Sequence, residues 1–107
     1  DTDTNYVLFN ARVVLEKILL NICKENDIEE ESLNKMIYSL FKKDILTHQT
    51  KSYAHTIKAF GNRVAHPSIK QPIIFTSKDA LLVLSTLVTL LEILKTQNLL
   101  VGSNSVK

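Results

Sequence analysis

Turn-forming residues are so scarce in this sequence that they limit the folds open to it. Its 107 residues include only two glycines and two prolines. A β-sandwich or barrel needs many tight turns and a matching supply of such residues. The abundant leucine, isoleucine, lysine and glutamate instead favour helices joined by few connections. The length suits one domain with one core.

Apolar periodicity locates the helices. Leu8, Ala11, Leu15, Ile18, Leu19 and Ile22 recur at three- and four-residue steps, predicting a helix from about Tyr6 to Lys24. Thr4 or Asn5 is the expected N-cap, and Asn26-Asp27 the stop. A second helix is predicted from Glu31 or Ser32 to Lys43, with Leu33, Met36, Ile37 and Leu40 as its stripe. Acidic residues crowd its start and Lys42-Lys43 its end, as the helix dipole favours. Ile45 and Leu46 are expected to tuck into the core from the connection that follows.

The third predicted helix, from about His48 to Ala65, has two unlike sides. Tyr53, Ile57, Phe60 and Val64 make one side, and Lys51, His55, Lys58 and Asn62 the other. Pro67 disfavours helical geometry at His66 and so ends the helix. Gly61 costs a helix interior about 1 kcal/mol relative to alanine. Close approach of another backbone, that of the first helix, is the expected compensation.

Ile69, Ile73, Ile74 and Phe75 then lie in a loop and are available to cap the core. Thr76-Ser77-Lys78-Asp79 resembles a capping box with aspartate at its last position. It opens a fourth helix, from about Ser77 to Thr96. This helix is apolar on so many sides that it is expected to be central and buried, or shared with a second subunit. Asp79, Ser85, Thr86, Thr89 and Glu92 interrupt or bound the run and argue against a membrane span. Residues 97–107 read as a flexible tail in which Leu99, Leu100 and Val101 could dock. The expected fold is therefore all-α: an antiparallel bundle of four main helices, with room for a short fifth.

The net charge is only +2, but its sign is segregated. Acidic residues dominate up to Glu31. From Lys42 to Lys70 the charged residues are Lys42, Lys43, Lys51, Lys58, Arg63 and Lys70 against Asp44 alone, and all three histidines lie in the same stretch. Such a stretch is either an anion or nucleic-acid face or an ordinary solvated helix surface. The single cysteine, Cys23, falls in an apolar helical pattern and reads as a small buried hydrophobe. The acidic, polar N-terminus lacks the pattern of a secretory signal, so a cytoplasmic location is expected. The chain starts without methionine and is expected to be a domain excised from a larger protein.

No residue spacing suits a metal, a glycine-rich phosphate loop or a catalytic triad, and no cofactor is expected. The remaining constellation is Lys58, Asn62, Arg63 and His66, with Arg12 and Glu16 from a facing helix. Arginine and lysine can hold phosphate oxygens, asparagine can hydrogen-bond them, and histidine can move a proton near neutral pH. The alternative is that His66 caps the last carbonyls of its helix while Asn62 and Arg63 brace the chain before Pro67.

Ala11-Arg12-x-x-Leu15-Glu16, followed by Lys58-x-x-Gly61-Asn62-x-x-Ala65-His66, resembles the HEPN superfamily (higher eukaryotes and prokaryotes nucleotide-binding). The likeness is to a branch reading Arg-x-x-Gly-Asn-x-x-Ala-His, and it covers nearly the whole chain. It implies a helical bundle that often dimerises and recurs in bacterial defence and toxin systems, often within larger proteins. Many members are metal-independent RNases. The resemblance then makes His66 the proton donor or acceptor, Asn62 the residue that positions the phosphate, and Glu16 the group that orients Arg12 or a motif residue. The usual RNase arginine positions hold Ala59, Phe60 and Gly61 here, and the related branch's arginine is Lys58. Lysine keeps the charge but loses the planar fork that grips a phosphate with two hydrogen bonds. Arg63 stands too near His66 to fit the motif. The resemblance thus implies a non-catalytic, dimeric module associated with RNA or another nucleic acid. The alternatives are an RNase using His66 with Lys58 or Arg63, and a pure assembly domain.

Overall fold

The computed structural model describes residues 2–100. Four helices follow one another: α1 (Thr2–Glu25), α2 (Leu33–Lys42), α3 (His48–Ala65) and α4 (Ser77–Thr96). They form an all-α bundle, with no strand and no fifth helix among the described residues. No helix among them is long and apolar enough to cross a membrane.

The centre of the bundle is the α1–α3 pair, in which each helix packs against the other three, and α1 carries the longer buried stripe. Its buried stripe runs Thr4, Leu8, Ala11, Leu15, Leu19, Ile22 and Cys23. The helix starts at Thr2, so the expected cap at Thr4 or Asn5 is corrected. Thr4 stands four residues before Leu8 on the same buried face, and that packing extends the helix by one turn. Cys23 is fully buried, and burial, followed by the charge of Glu30, pushes its thiol pKa up.

The expectation that α4 is central and buried is also corrected. Only Val83, Leu87, Leu90 and Leu94 of α4 are buried, while Leu81, Leu82, Leu84 and Val88 face outward. It lies against α1 and α3 and does not touch α2, which leaves its far side bare. In the loop before α4 only Phe75 caps the core. Ile69 is 98% exposed and Ile74 85%. Phe75 reaches the ring of Phe60, 5.8 Å between centroids, and the neighbouring isoleucines find no such partner in the core.

The helix ends replace the glycine the chain lacks. Asp27, Asp44 and Asn98 adopt left-handed conformations, with φ of 56°, 60° and 59°. After each, the next amide reaches back to the last turn: Ile28 N–H to Cys23 O, Ile45 N–H to Leu40 O, and Leu99 N–H to Leu94 O, each at 2.9 Å. These are Schellman-type stops, in which an apolar residue folds back onto the helix it ends. Asp and Asn tolerate this conformation better than most residues other than glycine. The stops also place Ile28, Ile45 and Leu99 against the core.

Helix starts are capped as well. Ser32 Oγ accepts from Lys35 N–H. At α3, Thr47 Oγ1 accepts from Thr50 N–H at 3.1 Å and Thr50 Oγ1 from Thr47 N–H at 2.8 Å. At α4, the Asp79 carboxylate accepts from Thr76 N–H at 2.8 Å, the aspartate variant of the box expected there. Leu99 and Leu100 of the expected tail pack on the core beside Ile18, Asn21 and Leu91. Val101 and the rest of that tail lie outside the described residues.

Candidate functional site: the faces of α3

The buried face of α3 is made of Thr50, Ala54, Ile57 and Gly61, with Tyr53, Phe60 and Val64 packed beside it. Small residues at three of these four positions let α1 come close. The tightest point is Gly61, where an added Cβ would lie 2.5 Å from Arg12 Cβ and 2.6 Å from Arg12 Cδ. The aliphatic stem of Arg12 thus occupies the space a side chain would take. Its guanidinium reaches toward Glu16, 3.9 Å away. Arg12 Nε is buried without a hydrogen-bond partner among the described residues. Arg12, Glu16 and Gly61 therefore form one packing unit between α1 and α3.

The basic side of α3 faces α2. Lys51 places its ammonium 3.9 Å from the centre of the Phe41 ring, and His48 meets the same ring edge-on at 4.8 Å. Lys58 Nζ donates to Asn34 Oδ1 at 2.9 Å. Between the two helices lies a cleft of about 400 Å³ lined by Asn34, Lys35, Tyr38, Phe41, Lys51 and His55. Partial burial, then the charges of Lys58 and Lys51, hold the His55 pKa below its ordinary 6.5. The lowered pKa favours the uncharged imidazole, in which one ring nitrogen donates and the other accepts.

The remaining candidates separate. Adjacent helix positions point about 100° apart, so Asn62 and Arg63 leave α3 in different directions. Arg63 lines a different groove of about 390 Å³, with Ala59, Phe60, Ile73, Ile74, Phe75 and Asp79. His66 lies just beyond α3, exposed, and its backbone N–H closes the helix on Asn62 O at 2.8 Å. Of the expected constellation, Lys58, Asn62 and His66 follow one another at four-residue steps, and Arg63 stands apart from them in the apolar groove. Lys51 and His55 share the α2–α3 cleft, Lys58 is tied to α2 by Asn34, Arg63 belongs to the apolar groove, and His66 sits at the helix end.

Sequence reasoning missed the α2 half of the cleft: Asn34, Lys35, Tyr38 and Phe41. Their spacing carried a signal, since Asn34 and Lys35 stand four and three residues before Tyr38 and each is its neighbour on the helix surface. A larger cleft of about 660 Å³ lies beside the loop before α2, but Glu29, Glu30 and Glu31 outnumber Lys24 and Lys35 in its lining and disfavour an anion. No group of three or more His, Cys, Asp or Glu side chains among the described residues could hold a metal ion.

Residues 2–100 match the family model described as a domain of unknown function, DUF4145. The chain belongs to that family. No curated protein matches it, and no solved structure does.

Proposed function

We propose that this domain is a HEPN-like interaction module of a cytoplasmic defence- or toxin-type protein, dimeric, associated with nucleic acid and not catalytic by itself. The observation that carries the nucleic-acid part is the α2–α3 cleft, which Lys35 and Lys51 both line and no carboxylate does. Lysines arranged in this way attract a phosphate backbone through counterion release. The non-catalytic part rests on the separated cations: Lys58 is hydrogen-bonded to Asn34, and Arg63 lines a different groove. A phosphate held at His66 would need at least one of them. The dimeric part rests on the apolar side of α4 that no other helix among the described residues covers.

The test uses labelled RNA in EDTA, with the wild type beside His66→Ala. The expected result is salt-sensitive binding without cleavage, weakened by Lys51→Glu and Lys58→Glu. Cleavage that vanishes in His66→Ala would replace this reading with that of a metal-independent RNase. An absence of binding at low salt would leave an assembly domain.

A further inference from the structure

The groove that holds Arg63 lies away from the α2–α3 cleft, where the C-terminal half of α3 meets the loop before α4. Its volume is about 390 Å³. Small-ligand sites span about 300–1,000 Å³ and pair an apolar lining with a few polar groups, as this groove does. Phe60 and Phe75 pack ring on ring at 5.8 Å. Ile73 and Ile74 line the groove while 51% and 85% exposed. The loop that carries them is braced. Pro67 and Pro72 restrict its backbone, and Ser68 Oγ accepts from Gln71 N–H at 3.2 Å. The two charges of the groove are in different states. The Asp79 carboxylate accepts from both the N–H and the hydroxyl of Thr76, at 2.8 and 3.3 Å. Arg63, exposed on the last turn of α3, has no hydrogen-bond or ion-pair partner among the described residues.

We propose that this groove binds a small apolar monocarboxylate, with the acid group on Arg63 and the hydrocarbon body over Phe60, Ile73 and Phe75. A guanidinium presents a planar fork of donors that matches a carboxylate with two parallel hydrogen bonds. An anion without an apolar body would leave the isoleucines in water and gain only a charge contact that solvent weakens. A dianion would meet Asp79 as well as Arg63. The lining carries one charge of each sign, and the positive one alone is unpaired, so a single negative charge suits it. An uncharged apolar ligand would leave Arg63 unanswered. The site shares no residue with the α2–α3 cleft and stands whether or not the domain associates with nucleic acid.

The probes are octanoate, octan-1-ol, octylammonium and inorganic phosphate, titrated by calorimetry and by amide chemical shifts below the concentrations at which the amphiphiles aggregate. Octanoate is expected to bind most tightly and to shift the amides of Phe60, Arg63 and Ile73. Arg63→Gln should weaken octanoate by at least about tenfold, the low end for loss of a hydrogen bond to a charged group, and leave octan-1-ol unchanged. Ile73→Ser should weaken octanoate and octan-1-ol alike. Arg63 and Ile73 are both exposed, so these variants leave the fold intact, which circular dichroism checks. Octan-1-ol or octylammonium binding as tightly as octanoate overturns the proposal, as does octanoate binding that ignores Arg63→Gln. An absence of saturable octanoate binding, or shifts confined to the outward side of α4, overturns it as well. A short peptide ending in leucine is the last arm, and tighter binding by it than by octanoate overturns the assignment to a small free acid.

Discussion

Gly61 and Arg12 interlock: a Cβ on Gly61 would stand 2.5 Å from Arg12 Cβ. The contact is with the first side-chain atom of Arg12, which cannot swing away without moving α1. Gly61→Ala should gain up to about 1 kcal/mol of helix propensity, set against an overpacking cost of about 1–3 kcal/mol. The overpacking term wins here because two helix backbones must separate. A net loss of about 1–2 kcal/mol is expected, read as a lower urea midpoint at unchanged slope. A raised midpoint would mean that α1 and α3 have slack at this position.

Asp44 offers the opposite case. Its φ of 60° ends α2 in the left-handed region, where a side chain costs about 1–2 kcal/mol relative to glycine. The reverse turn that follows delivers Leu46 to full burial, so the conformation cannot be relaxed cheaply. Asp44→Gly should therefore stabilise the domain, by about 0.5–1 kcal/mol after the added entropy of the unfolded chain is subtracted. Asp44→Val should destabilise it. Thermal unfolding of the two variants separates the backbone effect from loss of a surface charge, since both remove the carboxylate.

These two positions show what the sequence makes legible. Gly61 stands out because a glycine inside a helical pattern needs a reason, and close approach to the first helix is the physical one available. The limits of α3 follow equally directly from Pro67 and the two-sided spacing. Left-handed stops at aspartate cannot be read in this way, because Asp44 looks like any solvated charge until its φ is known. The outward side of α4 is hidden for another reason. Leucine and valine score alike whether a second helix covers them or not, so periodicity could not separate Leu84, which is exposed, from Leu87, which is buried. The cleft escaped notice because half of it lies on α2, and pairing Tyr38 with His55 requires the packing of the two helices.

His55 gives the domain a pH dependence of definite sign. Its folded pKa lies below its ordinary 6.5, through burial first and then the charges of Lys58 and Lys51. Between the two values the unfolded chain binds more protons than the folded one, so stability rises with pH. The contribution is complete above the unfolded pKa and is lost as pH falls from about 6.5 through the folded pKa. Lys51→Ala and Lys58→Ala should each move the imidazole titration back toward the ordinary value, read from its ring-proton shifts. Movement in the other direction would assign the shift to groups other than these lysines.

On α4, Leu81, Leu84 and Val88 recur at steps of three and four residues and are exposed, a single stripe suited to pairing with another helix. Leu84 and Val88 are 42% and 54% exposed, and α2 lies too far round the bundle to shield them. If the domain dimerises through this stripe, charge placed at its centre breaks the pair without damaging the fold. Leu84→Glu and Val88→Glu should convert a dimer to a monomer by light scattering at micromolar concentration. Because both positions are on the surface, the monomer's own stability should move by no more than about 0.5 kcal/mol. The dimer's apparent melting temperature should lose its dependence on protein concentration, since association no longer contributes. A wild type that is monomeric at high micromolar concentration, or a dimer that survives both substitutions, would remove α4 as the interface.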